Sequence, residues 1–113
     1  MALKQGTIIK VNFNPQLGHE QAGYRPALVI SNRYFNNLSN LVLVLPITNT
    51  NRKYPTRVDL DNFKIVTTGQ VICEQPKTID LEARDYRIVE HVPEEVINKV
   101  LEIVSVLISK DSR

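Results

Sequence analysis

The chain has 113 residues, 42% of them hydrophobic and 23% charged, which is typical of one soluble globular domain with a single compact core. We therefore expect one domain over residues 1–113. The 14 Lys and Arg against 12 Asp and Glu give a formal net charge of +2, which argues against a strongly basic nucleic-acid binder unless charge is segregated by face. The sequence shows no apolar run of the ~18 residues that a membrane span needs and no secretory leader pattern. With one cysteine, Cys73, inside an apolar run, these features predict a cytoplasmic protein with a buried thiol and no contact with a membrane.

The first half of the chain predicts three strands. Residues 7–13 alternate between apolar and polar side chains, and Asn14-Pro15 ends that run. Residues 27–31 and 41–45 are continuous apolar runs, which are typical of central strands. The segment 32–40 between them is polar and rich in asparagine, so it predicts a surface loop.

The second half of the chain predicts four further short strands and one helix. The strands are expected at 56–60, 69–74, 77–79 and 87–90. Pro93-Glu94-Glu95 supplies a helix start, and Ile97, Leu101, Val104 and Ile108 recur at helical spacing, so a helix is predicted over 93–109. Its apolar face is wide enough to pack on the sheet or on a second subunit. Short strands followed by one packing helix indicate a mainly β protein, a small barrel or strongly bent sheet.

Residues 18–26, GHEQAGYRP, carry more charged and hydrogen-bonding side chains than a chain reversal requires, since about two to five residues suffice for a hairpin. The stretch therefore predicts a working surface.

Four motifs occur in order: GHEQAGYRPALVIS, LPIT, TTGQVICEQPKTIDLEAR and VPEEVINKVLEIVSVLIS. The chain resembles the MazF/PemK family of toxin endoribonucleases, and the Kid/PemK branch in particular, from about Gln5 to Ser109. The resemblance implies an SH3-like barrel with a C-terminal helix that forms a homodimer. It also implies sequence-specific cleavage of single-stranded mRNA, without metal or cofactor, to 2′,3′-cyclic phosphate and 5′-hydroxyl ends. It further implies inhibition by an antitoxin of the MazE/PemI type.

Cleavage of RNA needs little from the protein. An enzyme that helps the 2′-hydroxyl attack the adjacent phosphate requires a proton acceptor, a proton donor and a cation for the crowded phosphorane. The sequence has two histidines, His19 and His91, one cysteine and no HExxH or CxxC pair, so it predicts no transition-metal site.

Arg25 is the first catalytic candidate, because its guanidinium matches phosphate oxygens and the resemblance places the family's catalytic arginine here. Gly23 would give the backbone freedom to present it. The alternative for Arg25 is a surface salt bridge worth at most ~1 kcal/mol. Thr48, at the end of LPIT, matches the family's active-site threonine, whose hydroxyl would donate to a phosphate or orient the attacking group. The alternative is an ordinary threonine at a strand end.

His19 and Glu74 are the candidates for proton transfer. His19 titrates near neutrality and matches the histidine of the PemK branch, although a loop histidine is more often plain surface. Glu74 stands where relatives carry a carboxylate proposed as a proton carrier. The PemK pattern has an arginine before the cysteine where this chain has Ile72, which puts the paired carboxylate and arginine in question. The alternative for Glu74 is an ion pair with Lys77.

Substrate-binding candidates surround these residues. Glu20, Gln21, Asn49, Gln75 and Lys77 would contact base edges and phosphates, since unpaired bases expose their hydrogen-bonding edges. Glu20 would alternatively fix Arg25 or the loop itself.

Two other functions fit the same fold. A gyrase-poisoning toxin of this fold relies on a C-terminal tryptophan, whereas this chain has no Trp and ends in KDSR. A non-catalytic SH3-like module would expose an aromatic groove, whereas the three Phe and four Tyr do not cluster in the motif loops.

The helix over 93–109 offers more apolar surface than one side of this domain needs. The resemblance makes its partners a second copy of the chain and an antitoxin segment. We expect RNA grooves lined by the loops that carry Arg25, residues 49–53 and Lys77.

Overall fold

The computed structural model describes residues 3–13, 23–50 and 52–112. Within these ranges the elements follow in chain order: β1 Thr7–Asn12, β2 Tyr24–Val29, α1 Arg33–Leu38, β3 Leu41–Thr48, β4 Arg57–Asp59, β5 Gln70–Ile72, β6 Lys77–Asp80, β7 Tyr86–His91 and α2 Glu94–Leu107.

The strands form one antiparallel sheet in the order β4-β5-β3-β2-β1-β7, with β6 also paired to β3. Strand β3 pairs with three other strands of this sheet. One of its edges pairs with β2, and along the other its residues 41–44 pair with β6 while Ile47 and Thr48 pair with β5. The sheet bends around β3 without closing, and α2 follows it. The predicted architecture, a mainly β SH3-like barrel or strongly bent sheet with a C-terminal helix, is confirmed.

Apolar residues cover both faces of this sheet, so the expectation of one core is wrong. On one face, Leu28 and Leu45 pack in a cluster that includes Val96 and Val100 of α2. The other face holds a second cluster, which comprises Leu3, Ile9, Val11, Ala27, Val29, Val42, Val44 and Ile79. Because side chains alternate along a strand, burial on both faces explains the continuous apolar runs of β2 and β3.

Segment 32–40 is not a loop, because it contains helix α1. The Asn32 side chain accepts a hydrogen bond from the Phe35 N–H at 3.0 Å and caps the helix. The buried Asn36 side chain donates to the carbonyls of Leu3 at 2.8 Å and Ser31 at 3.1 Å. The asparagines that predicted a surface loop are therefore the cap and the buried anchor of a short helix.

Two other element boundaries differ from the sequence predictions. Strand β3 continues through Pro46, which lies opposite Ala27, and ends at Thr48. Helix α2 occupies 94–107 of the predicted 93–109, with Val96 and Val100 buried.

The predicted buried thiol of Cys73 is confirmed, and burial, with the nearby Glu74 charge, raises its pKa to about 12. In the described ranges no helix is both long and apolar enough to cross a membrane.

Candidate active site

Strand register brings Arg25 and Thr48 to the same end of the sheet. Ala27 of β2 lies opposite Pro46 of β3; Arg25 precedes Ala27 by two residues and Thr48 follows Pro46 by two. Because the two strands are antiparallel, both residues lie at one end of the pair, and the two-residue period puts both on one face. Arg25 is exposed and Thr48 is half-buried. The structure therefore places the first two catalytic candidates at the same end of this strand pair, each two residues beyond its last paired position.

Lys77 joins this face from β6. It lies opposite Val44, four residues before Thr48 on β3, so its side chain shares the face by the same alternation. Its Nζ lies 5.4 Å from the centroid of the Phe13 ring, just beyond the end of β1, a distance within the range of a cation–π contact. Within the described ranges neither Arg25 nor Lys77 forms an ion pair. Positive charge is thus available at this end of the sheet.

Gly23 serves the site through close packing. A Cβ at this position would lie 2.5 Å from Asn12 Oδ1, and the Gly23 carbonyl accepts from the Phe13 N–H at 3.1 Å. Its φ is not positive, so the predicted need for backbone freedom is replaced by a need for space. A glycine here lets β2 begin directly beside the end of β1.

Glu74 follows β5 and is held from β4. One carboxylate oxygen accepts from Thr56 Oγ1 at 2.7 Å, and the other accepts from Arg57 Nε at 3.2 Å and Nη2 at 3.0 Å. Its ion-pair partner is therefore Arg57 and not Lys77. Partial burial alone would raise the pKa of Glu74, but hydrogen bonds from Thr56, its own backbone N–H and Arg57 outweigh it and hold the pKa below its ordinary value. This direction is opposite to what a proton carrier near neutral pH requires.

A small polar cleft lies beside Thr48. Gln70 of β5 lies opposite Thr48, and its buried Oε1 has no hydrogen-bond partner within the described residues. The cleft also contains Asn49 and Lys53, and Asn49 Oδ1 accepts from Thr68 Oγ1 at 3.1 Å. The arrangement offers donors and acceptors next to the Thr48 end of β3.

The other candidate site residues add no further side-chain contact to this description of the site. Gln75 is exposed, and its N–H donates to the Ile72 carbonyl at 3.2 Å. His19, Glu20 and Gln21 lie outside the described residues. Among the residues that the structure describes, no three His, Cys, Asp or Glu side chains form a group that would hold a metal ion.

Two residues around Arg57, Tyr54 and Arg52, were not among the candidates that the sequence predicts. The Arg57 guanidinium carbon lies 4.5 Å from the centroid of the Tyr54 ring, and Arg52 Nη1 donates to Tyr54 Oη at 3.0 Å. Alternation in 56–60 does place Arg57 on the polar side of its strand. The residue that Arg57 meets on the next strand depends on the register between β4 and β5. The ten-residue connection between these strands sets that register, which no local sequence pattern predicts.

Comparison with known proteins identifies the family of the chain. Residues 4–108 match the family described as PemK-like, MazF-like toxin of type II toxin-antitoxin system. The chain is 40% identical over 110 residues to Endoribonuclease PemK of Escherichia coli, covering 95% of this chain and 83% of that protein.

Two solved structures share the fold. The crystal structure of MazF (Form-I) from Deinococcus radiodurans has a TM-score of 0.80 at 30% identity and covers 95% of this chain and 96% of that one. The MazE-MazF (Form-II) structure from the same organism has a TM-score of 0.81 at 23% identity and covers 98% and 99%. The resemblance predicted from the ordered motifs is confirmed, and the chain belongs to the PemK-like, MazF-like toxin family of type II toxin–antitoxin systems.

Proposed function

We propose that the chain is a sequence-specific endoribonuclease that cuts single-stranded mRNA without a metal and acts as the toxin of a type II toxin–antitoxin pair. The observation that carries the proposal is the register that puts Arg25 and Thr48 at one end of the β2–β3 pair, on the sheet face that Lys77 shares. The relative that is 40% identical is named an endoribonuclease, which supports the same reaction class. Since mRNA is the substrate, the proposed site of action is the cytoplasm.

The reaction uses the nucleophile that RNA carries. The 2′-oxygen attacks the adjacent phosphorus, the bond from phosphorus to the 5′-oxygen breaks, and the products carry a 2′,3′-cyclic phosphate and a 5′-hydroxyl. One proton leaves the 2′-hydroxyl and one reaches the departing 5′-oxygen. Arg25 stabilises the charge of the phosphorane, and the Thr48 hydroxyl donates to a phosphate oxygen. His19 is the proposed group for proton transfer, because its ordinary pKa lies near neutrality.

Glu74 fits a different role in this scheme. Its bonds to Thr56 and Arg57 favour the ionised form, so it serves as a fixed negative charge that orders the site. Proton transfer is then left to His19 and to water.

Selection of the RNA sequence falls to groups around the cleavage point. Lys77 contacts the phosphate backbone, while Asn49 meets base edges at the polar cleft. Gln75, Glu20 and Gln21 complete the proposed contacts.

The proposed assembly is a homodimer that an antitoxin of the MazE/PemI type inhibits. Exposed apolar side chains support a partner surface, because Val106, Leu107 and Ile108 at the end of α2 and Ile88 on the edge strand β7 are 66%, 46%, 78% and 60% exposed. The MazE-MazF (Form-II) structure from Deinococcus radiodurans shares this fold. Arg25 lies on β2 and Lys77 at the start of β6 and not on loops, so an antitoxin segment would inhibit by lying over the sheet face that carries them.

The test is incubation of the purified protein with a long single-stranded RNA in EDTA, followed by mapping of the product ends. Cleavage at recurring sequences with 5′-hydroxyl and 2′,3′-cyclic phosphate ends is expected. Products with 5′-phosphates, or activity that the chelator abolishes, would refute the mechanism. An intact RNA together with inhibition of gyrase would establish the alternative toxin class.

A further inference from the structure

The Glu74 carboxylate is fixed by a neighbouring strand. Both of its oxygens accept hydrogen bonds, one from Thr56 and one from two nitrogens of Arg57. Two guanidinium nitrogens of Arg57 converge on one oxygen while the Thr56 hydroxyl holds the other, so the two residues together fix the position and the plane of the carboxylate. The orientation of Glu74 therefore depends on β4 as much as on its own strand.

Strand register explains why Arg57 reaches Glu74. Arg57 lies directly opposite Ile72 in the β4–β5 pair, and Ile72 precedes Glu74 by two residues. Cys73 between them is fully buried, whereas Glu74 is solvent-accessible. The family resemblance predicts an arginine at position 72. The side chain of such an arginine would leave β5 directly opposite Arg57. The guanidinium that is missing from β5 is thus supplied by β4.

Arg57 is itself preorganised. Its side chain is 12% exposed, against 31% for Glu74, and its guanidinium stacks on the Tyr54 ring. The Tyr54 hydroxyl accepts from Arg52. A guanidinium that is held on a ring and partly withdrawn from water loses little conformational entropy when it pairs, so this ion pair is more directional than an exposed one. Lysine offers neither the planar fork nor the stacking.

We propose that Arg57 is a positioning residue of the nuclease site: from β4 it holds the Glu74 carboxylate in one orientation and takes the place of an arginine at position 72. The inference rests on the proposed function for its effect on RNA cleavage. Arg57 acts through Glu74 and does not touch the RNA. The position of the negative charge in the site is then set by the β4–β5 register.

The first test follows the contact without using activity. The pKa of Glu74 is measured by carboxyl carbon NMR in an Arg25→Ala background, alone and with Arg57→Ala. Loss of the guanidinium should raise the pKa of Glu74, because its strongest favourable charge is removed. The other groups that act on this carboxylate, Thr56 and the backbone N–H of Glu74, stay in place. An unchanged pKa would overturn the proposal, whether or not the protein cleaves RNA.

The second test follows function. In the protein that retains Arg25, Arg57→Ala should lower kcat for a defined RNA by roughly 10- to 100-fold through misplacement of the carboxylate. It should also move to higher pH the lower acid limb of the pH–rate profile, the one that protonation of Glu74 sets below the limb set by His19. Arg57→Lys should recover only part of the rate. Arg33→Ala, which removes an exposed arginine from α1, is the matched control and should leave both unchanged.

The decisive variant relocates the guanidinium. Arg57→Ala with Ile72→Arg should recover at least about tenfold of the lost rate and return the acid limb toward its original pH, because the new arginine reaches Glu74 from β5. A folded double variant with no recovery would overturn the proposal, and so would a folded Arg57→Ala protein with unchanged rate and pH profile. If the double variant does not fold, the rates of the single variants and the pKa of Glu74 still test the proposal. A parent protein that cuts no RNA would refute the proposed function, while the NMR titration separately judges the contact.

Discussion

Glu90 of β7 accepts hydrogen bonds from both the backbone N–H and the hydroxyl of Thr67, at 2.7 and 2.6 Å, and also from the Val66 N–H at 3.1 Å. One carboxylate at the edge of the sheet thereby ties down the connection between β4 and β5. That connection sets the register of the two strands, and the register in turn sets the pairing of Arg57 with Glu74. A residue remote in sequence from the candidate site therefore supports its geometry.

Glu90→Ala should lower the free energy of unfolding by about 2 kcal/mol, because it removes an ionised acceptor and leaves two N–H groups without their partner. Glu90→Gln keeps an acceptor oxygen and should cost less. Thermal and urea unfolding of the three proteins measure the difference. An alanine variant as stable as the parent would mean that the connection is held by other contacts.

The dependence of stability on pH follows from two carboxylates. Burial alone would raise the pKa of both Glu74 and Glu90, but hydrogen bonds, with the Arg57 charge at Glu74, hold each pKa below its ordinary value in the folded protein. The folded state therefore binds fewer protons than the unfolded state in the interval below the ordinary carboxyl pKa of about 4.3. The stability that these groups contribute is complete above that pKa and is lost as the pH falls through the lower folded values.

Urea unfolding between pH 3 and pH 7 tests this relation. The free energy of unfolding should fall as the solution is acidified below about pH 5, and the fall should be shallower in Glu90→Gln, which has no carboxylate to protonate at this position. A glutamine variant with the same pH dependence as the parent would contradict the assignment for Glu90. Glu102→Gln, an exposed residue of α2, is the matched control.

The sequence predicts the fold and part of the site for identifiable reasons. Alternation and continuous apolar runs mark the strands, and the LPIT segment places Thr48 at a strand end. Arg25 is predicted in the loop before the strand at 27–31 but lies in β2, which begins at Tyr24. Local sequence patterns do not predict that Glu74 pairs with Arg57, because the pairing depends on the strand register across a ten-residue connection. Helix α1 escapes prediction because Asn32 and Asn36, which favour loops on propensity, here cap the helix and satisfy buried carbonyls.

Substitution of the two central candidates should separate chemistry from folding. Arg25→Ala and Thr48→Ala are each expected to lower kcat/KM for RNA by roughly 10²-fold or more, because each removes a group that stabilises or positions the phosphorane. Arg25 is exposed and Thr48 half-buried, so both variants should keep the parent's unfolding temperature within a few degrees. Arg33→Ala controls for loss of one surface arginine. Near-normal rates in a folded variant of either residue would remove that residue from the mechanism.

The apolar end of α2 should carry part of the dimer contact. Val106, Leu107 and Ile108 are exposed, and burying one large apolar side chain is worth about 1.5–3 kcal/mol. A charge placed there by Ile108→Glu would have to be desolvated on association, so it should weaken dimerisation by at least about tenfold. Ser105→Glu adds the same charge at an exposed position of the same helix and should have a smaller effect. Sedimentation velocity at micromolar concentration measures both: a monomeric parent would refute the homodimer, and an Ile108→Glu protein that dimerises like the parent would move the interface away from this end of the helix.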